Sequence, residues 1–213
     1  MDQLYWVSWA CLVFTVGMFA AGIPACLQII RKRSTQDVPF LPYLATNINN
    51  VLWCYYGSLV RDSTILTVNT IGSCIQTTCI IVYIYYTNEK TKIIRLTFYA
   101  FVCVMAVLLY FNYYDLTPDR LINQLGLAAS GVTVAMYSAP LAQLREVIRN
   151  KSVKSLSFPL SIATFIASSL WTLYGFLLDD MYVSLPNVPG IATSLVRFYL
   201  FWLYSSPSET LHV

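Results

Sequence analysis

The chain has 213 residues, of which 57% are hydrophobic and only 11% carry a charge. About a quarter of the residues in a soluble domain are charged, so this composition indicates a polytopic membrane protein. The net charge is +3, and the only histidine, His212, lies in the C-terminal tail, which excludes histidine-based catalysis or a histidine metal cage.

Apolar stretches long enough to cross a bilayer as α-helices occur seven times along the chain. An α-helix needs about 20 residues to cross the hydrocarbon core. The first apolar run begins near Tyr5 and is long enough to remain as a helix, so we do not expect a cleaved signal peptide. The seven predicted helices are Trp6–Ile30, Phe40–Val60, Ile65–Tyr86, Ile94–Tyr113, Gln124–Ile148, Phe158–Leu178 and Val183–Tyr204.

The first three predicted helices are repeated in the last three. Shifted by 118 residues, the chain matches itself at 20 of the 73 positions from Phe14 to Tyr86. Trp53-Cys-Tyr-Tyr-Gly57 returns as Trp171-Thr-Leu-Tyr-Gly175, and Asn69 returns as Asn187. We read this as an internal duplication. A repeat of this length has the size of one half of a small membrane transporter, many of which are built from two internal repeats.

The fourth predicted helix has no partner in the repeat. A three-helix unit reverses sidedness, so one additional crossing gives the second copy the same orientation as the first. We therefore predict an all-α membrane protein with seven transmembrane helices, in which an inversion-linker helix joins two parallel three-helix repeats (3+1+3). The predicted divisions are a first repeat over 6–86, a linker helix with its loops over 87–122, a second repeat over 123–204 and a tail over 205–213.

Basic residues collect in alternate links. Ten of the 13 follow predicted helices one, three and five, whereas the opposite links hold Arg61 and Arg120 beside five aspartates. The positive-inside rule then places the N-terminus outside and the C-terminus, with its tail, in the cytosol. The Asn150-Lys-Ser152 sequon would be cytosolic, and we expect it to carry no glycan.

The six cysteines all lie in apolar stretches, with no Cys-x-x-Cys spacing and no histidine nearby. We expect small buried side chains rather than disulfides or a metal site, and we predict no cofactor.

Asn69 and Asn187 are amides within apolar helices, where an unpaired polar group is costly. One interpretation is that each ties two helices together. The other is that both amides bind a hydroxyl-rich, neutral ligand, because an amide offers donors and an acceptor without a charge.

Trp53 and Trp171 each lie about a dozen residues into a predicted helix, which argues against interfacial anchoring. An indole face packs on the C–H face of a pyranose, so the two tryptophans and two asparagines predict a sugar site. Tyr56 and Tyr174 lie one turn nearer the outside and are either gates or interfacial tyrosines. Their neighbours Gly57 and Gly175 would permit a close approach.

Prolines fall in or at the ends of predicted helices one, two, five and six. A proline removes a backbone hydrogen bond and kinks a helix, so these residues are either static kinks or hinges. We predict hinges, because they occur in both repeats. The predicted hinge residues are Gly22, Pro24, Pro42, Pro140 and Pro159.

Arg197 is the one charged residue well inside the seventh predicted helix. An intramembrane charge is usually paired, but this position is close enough to the cytosolic end for snorkelling, which we favour. No carboxylate lies deep in any predicted helix, which argues against proton coupling.

These features resemble the SWEET family of sugar transporters, its animal branch more than its plant branch, over about Val13 to Tyr204. The supporting motifs are Ser152-Val153 after a basic run, Trp171-Thr-Leu-Tyr-Gly175, and Pro186-Asn-Val-Pro-Gly190-Ile. The resemblance implies facilitated, bidirectional diffusion of sugars by alternating access. It also suggests homo-oligomers and residence in the plasma membrane or Golgi.

The resemblance assigns sugar binding to Asn69, Asn187 and Trp171, and outer gating to Tyr56, Tyr174 and Asp180. Plant members often carry a small residue where this chain has Trp53, so we expect a narrower cavity and a preference for monosaccharides. Family hinge prolines match Pro42 and Pro140. Gly22 and Ser157 stand at the other two hinge positions, with Pro24 and Pro159 two residues further on in each case.

We therefore predict a sugar uniporter whose partners are a small neutral sugar, the lipid bilayer and other copies of itself, and not nucleic acid. The alternatives are a proton-coupled small-solute or amino-acid carrier on the same scaffold, and a seven-helix receptor. An enzyme is not expected, because the helices hold no histidine or acidic pair.

Overall fold

The computed structural model describes residues 2–113 and 117–204. The predicted tail over 205–213, with His212, and Asp115 in one link lie outside the described residues. Within the described ranges all of the regular secondary structure is helical, and there is no strand. The helices, in chain order, are α1 (Asp2–Ala21), α2 (Ile23–Lys32), α3 (Leu41–Leu59), α4 (Ser63–Tyr86), α5 (Lys90–Tyr113), α6 (Pro118–Met136), α7 (Ser138–Asn150), α8 (Phe158–Leu177), α9 (Met181–Ser184) and α10 (Val188–Tyr204).

These helices form the seven predicted segments, because α1 continues into α2, α6 into α7, and α9 into α10 through a 3₁₀ turn over Leu185–Asn187. Among the described residues, five segments are long and apolar enough to cross a membrane. They are Gln3–Lys32, Ser63–Tyr86, Lys90–Phe111, Pro118–Asn150 and Phe158–Leu177. The all-helical, seven-segment prediction is confirmed.

The first and fifth predicted helices are each broken once, where the sequence predicted single helices. The first break is at Gly22, whose N–H bonds the Phe19 carbonyl at 3.1 Å, three residues back instead of four. The other is at Tyr137, whose N–H bonds the Val134 carbonyl at 3.0 Å. A proline follows each break within three residues, and proline lacks the N–H and crowds the carbonyl four residues earlier.

The seventh predicted helix is interrupted as well. Asp180 begins the short α9, and Pro186 and Pro189 lie in the turn and in the first turn of α10. Proline cannot donate the backbone hydrogen bond that a continuous α-helix needs at these places, so the chain tightens into a 3₁₀ turn.

The described residues divide into two compact units, one within 15–129 and the other made of those before residue 15 and those from 130 onward. In the first unit, α3 packs along α4 and α2 also contacts α4. In the second, α10 packs along α8 and α7. Each unit has its own apolar cluster, centred on Cys26, Ile29, Tyr43 and Cys79 in the first unit and on Leu144, Val147, Val153 and Leu200 in the second.

The two units share unusual backbone features at matched positions. Four non-glycine residues among those described adopt positive φ: Arg33 and Lys151, both at 49°, and Arg61 and Asp179, both at 56°. Each pair is separated by the repeat offset of 118 residues. Arg33 and Lys151 end α2 and α7 in the left-handed conformation that often closes a helix. The duplication therefore extends to individual backbone angles.

Gly57 and Gly175 allow the following helix to pass close by. A Cβ on Gly57 would lie 2.9 Å from the Leu66 amide nitrogen. A Cβ on Gly175 would lie 2.6 Å from the nitrogen of Ser184, the residue matched to Leu66. Because backbone atoms cannot move aside cheaply, both positions require glycine.

We expect Gly57→Ala to lower the free energy of unfolding by about 1–3 kcal/mol, since the new methyl group overlaps the backbone of α4. The matched control is Gly131→Ala in α6, where a Cβ meets no atom within 4 Å. That control should be neutral, or stabilising by up to about 1 kcal/mol, because alanine favours the helix. Thermal unfolding in detergent measures both, and equal melting temperatures for the two variants would contradict the close-passage argument.

Candidate sugar-binding site

Trp53 and Tyr56 form one aromatic pair of the candidate site. Both lie on α3 one turn apart, and both are buried, with 7% and 1% of their surface exposed. Their rings meet edge to face, with centroids 5.3 Å apart and an interplanar angle of 81°. This arrangement holds the indole in a defined orientation. The predicted position of Trp53 well inside its helix is confirmed, because it is the thirteenth residue of α3.

Asn69 lies on α4 in the same unit and is buried. Its Nδ2 donates a hydrogen bond of 2.8 Å to the carbonyl of Ile65, one turn earlier on the same helix. That bond uses one of the two N–H groups, so the capacity of the amide includes a second N–H and the Oδ1 acceptor. Because the bond stays within α4, this N–H of Asn69 has a partner without the help of a second helix.

The second unit repeats this geometry. Trp171 and Tyr174 on α8 also meet edge to face, with centroids 5.7 Å apart and an angle of 89°. Asn187 Nδ2 donates to the Val183 carbonyl at 2.8 Å, four residues back, as Asn69 does. The difference is that Asn187 ends the 3₁₀ turn, whereas Asn69 lies inside a regular helix. Trp171 is half-buried, whereas its counterpart in α3 is buried.

Asp180, expected at the outer gate, caps a helix. Its Oδ1 accepts hydrogen bonds from the amides of Tyr182 at 2.9 Å and Val183 at 3.2 Å, at the start of α9. Asp62, matched to it in the first repeat, caps α4 by accepting from Ile65 at 2.8 Å. The sequence prediction of the site does not include Asp62, although its coincidence with Asp180 in the duplication is a signal that points to it.

The predicted hinge residues fall into two groups. Gly22, Pro24 and Pro140 lie at the breaks that separate α1 from α2 and α6 from α7. Pro42 and Pro159 lie in the first turns of α3 and α8, where proline fits without breaking a helix. The backbone is therefore interrupted at two of the predicted hinge regions and regular at the other two.

A second matched contact, which the sequence did not reveal, lies beside the break in each unit. Gly72 faces the Phe19 ring and the Asn50 amide, and Gly190 faces the hydroxyls of Tyr137 and Ser168. The Tyr137 hydroxyl pairs with Ser168 at 3.4 Å. Phe19 has no hydroxyl, and Asn50 Nδ2 is buried without a partner among the described residues. The third helix of each repeat therefore packs on the break through a glycine.

Arg197 does not snorkel. Only 6% of its surface is exposed, and its Nη2 donates a hydrogen bond of 3.1 Å to Gln143 Oε1 on α7. The expectation of snorkelling is wrong because α7 covers this face of α10, and distance to the helix end does not reveal such cover. The expectation that all six cysteines are buried is also wrong, since Cys74 and Cys103 are exposed on helix faces.

Two matched sets of membrane helices, each carrying an amide and an indole at the same positions of the repeat, define a duplicated membrane transporter. The family described as "Sugar efflux transporter for intercellular exchange" matches residues 5–91 and again 123–209. The chain belongs to this family, the SWEET sugar transporters. The resemblance inferred from the motifs is confirmed, and the chain is a membrane transporter rather than an enzyme.

Similar proteins cover almost the whole chain. Sugar transporter SWEET1 of Xenopus tropicalis is 42% identical over 204 residues, which is 96% of this chain and 95% of that protein. The Danio rerio protein of the same name is 43% identical, covering 97% and 94%, and the Homo sapiens protein is 43% identical, covering 94% and 90%. The structure of a eukaryotic SWEET transporter superposes with a TM-score of 0.87 at 27% identity, over 95% of this chain and 97% of that one.

Asp180→Ala should destabilise the protein by about 1 kcal/mol, because the first turn of α9 loses its capping acceptor. Asp180→Asn keeps an accepting oxygen and should melt within about a degree of the wild type. Thermal unfolding in detergent compares the two variants. If both variants lost the same amount of thermal stability, the position would require the negative charge of Asp180 and not its capping hydrogen bonds.

Proposed function

We propose that the chain is a facilitative, bidirectional sugar uniporter that works by alternating access and favours glucose-like monosaccharides. The observation that carries this proposal is the matched pair of amides. Asn69 and Asn187 are each oriented by a bond of 2.8 Å to their own helix, which leaves further donor and acceptor capacity for a ligand. Neutral amides suit a neutral polyol, because sugar hydroxyls need several modest hydrogen bonds and no counter-charge.

The aromatic residues are proposed to bind the sugar ring. Trp53 and Trp171 are each packed against a tyrosine at a nearly perpendicular angle, which restricts the orientation of the indole plane. An indole face packs well against the C–H face of a pyranose. Tyr56 and Tyr174 are proposed to close the outer side, with Asp180 holding the backbone next to the second tyrosine through its cap.

The absence of ion coupling is part of the proposal. Among the described residues, the acidic positions within helices are 2, 119 and 146 of the sequence, all close to a helix end. Coupling to protons generally uses an embedded carboxylate. We therefore expect uptake to be independent of pH and membrane potential. A proton-coupled carrier on this scaffold would contradict that expectation by responding to both.

Alternating access is proposed to use the two helix breaks. The backbone hydrogen bonding of the first segment is interrupted at Gly22 and Pro24, and that of the fifth segment at Tyr137 and Pro140. These interruptions allow each half-helix to change direction. The prolines that begin α3 and α8 remain proposed hinges.

The membrane setting is also proposed. The placement of basic residues in alternate links supports an orientation with the N-terminus outside. The resemblance to the family supports residence in the plasma membrane or Golgi, and the formation of homo-oligomers.

Uptake of labelled glucose into proteoliposomes without an ion gradient tests the function and the asparagines together. Wild type should show saturable, trans-stimulated uptake. Asn69→Leu and Asn187→Leu should each reduce uptake by about tenfold or more, since a lost hydrogen bond to a bound ligand leaves a sugar hydroxyl unpaired. Asn150→Leu at the exposed end of α7 is the control and should transport normally.

Undiminished uptake in both leucine variants would make Asn69 and Asn187 structural residues only. A folded wild-type protein that takes up no sugar would overturn the uniporter proposal.

Substrate size is tested at Trp53. Trp53→Ser removes a large, buried ring and should allow disaccharide uptake that wild type lacks, while glucose affinity falls by roughly tenfold with the lost stacking. Trp202→Ser, on a position that is 78% exposed, is the matched control. Labelled sucrose and glucose are measured in parallel. If wild type already carries sucrose as fast as glucose, Trp53 does not set the size limit.

A further inference from the structure

Arg197 is the one described arginine or lysine that is buried within a helix. Its Nη2 donates to Gln143 Oε1 at 3.1 Å, and its Nε has no hydrogen-bond partner among the described residues. The ion pairs recorded in the described part of the chain are Lys32–Asp37 and Lys92–Glu89, both on the surface. A buried cation with a neutral acceptor is thus held by a contact weaker than an ion pair of good geometry.

The contact joins two particular helices. Gln143 lies on α7, three residues after Pro140, and so belongs to the half-helix that follows the break at Tyr137. Arg197 lies on α10, which packs along α7 within the same unit. A change of direction at the break that α10 does not follow would move Gln143 away from Arg197 and stretch the bond.

The contact exists in one repeat only. The matched residues of the first repeat are Ala25 and Cys79, and alanine has no polar group to accept a bond. There, Cys79 belongs to the apolar cluster with Cys26 and Tyr43. A contact required simply to hold a repeat together would be needed twice. Its presence in one copy indicates a role in which the two copies differ.

We propose that Arg197 is a positioning residue for transport, and that its hydrogen bond to Gln143 is a latch that holds α7 against α10 and opens once per transport cycle. This inference rests on the proposed alternating access. The neutral glutamine makes the latch breakable. A carboxylate at the same place would close it more firmly, because charge-assisted bonds between two ions are the stronger class.

Gln143→Glu is the decisive variant, since it keeps the shape of the side chain and adds a charge, at the cost of the long 3.5 Å bond that Gln143 Nε2 donates to the Ser155 carbonyl. The maximal rate of net glucose uptake should fall by about tenfold, while equilibrium glucose binding stays within about twofold of wild type. Ala142→Glu, the neighbouring exposed position on α7, adds the same charge away from Arg197 and should leave the rate unchanged.

A double substitution separates the latch from plain packing. Gln143→Leu and Arg197→Gln each remove the bond, whereas Gln143→Arg combined with Arg197→Gln exchanges the partners. The exchanged pair should recover the wild-type rate to within about threefold, as expected for two residues that couple directly. If the exchanged pair transported as slowly as the single variants and all three were equally destabilised, the contact would serve only to stabilise the fold. That result would overturn the latch.

A conformational readout keeps the latch testable if no sugar is transported. Spin labels coupled to unnatural amino acids at Arg149 and Leu203, both exposed and at the ends of α7 and α10, avoid the six native cysteines. The distance distribution should narrow in Gln143→Glu and broaden in Gln143→Leu. Identical distributions in the two variants would overturn the latch, whereas absent uptake with the expected distributions would overturn the uniporter alone.

Discussion

A polar group inside an apolar helix has to find its hydrogen bonds within the protein, and the arrangement of this chain depends on how it does so. The side chains of Asn69 and Asn187 bond a carbonyl one turn back on their own helix. Thr70, Thr78 and Thr164 do the same with their hydroxyls. Each of these bonds is made without a second helix, so none of them ties two helices together.

The closest approaches between helices are made at glycines, beside backbone amides that are capped by side chains. Gly57 and Gly175 bring α3 and α8 against the start of the next helix, and an aspartate cap satisfies the amides exposed at each of those corners. At the other contact, Gly72 and Gly190 let the third helix of each repeat meet the break in the first. A glycine and an aspartate cap therefore shape the corner between the second and third helices of each repeat, and a second glycine meets the broken first helix.

Departures from symmetry are as informative as the repeat. Tyr137 and Ser168 pair their hydroxyls, whereas the corresponding Phe19 and Asn50 leave one amide donor without a partner among the described residues. An unpaired buried donor costs about 1–3 kcal/mol. The hydrogen bond of the buried arginine in α10 likewise has no counterpart in the first repeat. The two repeats therefore share a backbone plan but differ in the hydrogen bonds of their buried polar side chains.

The sequence by itself determined the class, the seven helical segments and the duplication, because hydrophobic run length, charge placement and the offset of 118 residues are linear properties of the chain. It also picked out Trp53, Trp171, Asn69 and Asn187, because a polar or aromatic residue that recurs at matched positions inside apolar segments stands out against its surroundings. Their roles in sugar binding remain predictions, as do the boundaries of the repeats and the orientation in the membrane.

Tertiary structure decided the rest. Competition between local backbone hydrogen bonds and packing decides where the helices break and how they are capped. It sets the breaks at Gly22 and Tyr137, the cap by Asp62 and the 3₁₀ turn before α10. The burial of Arg197 depends on which helix covers it, and Gln143 is 54 residues away in the chain. No periodicity or spacing encodes that contact, because a hydrogen bond between two helices is set by their relative rotation and not by sequence separation.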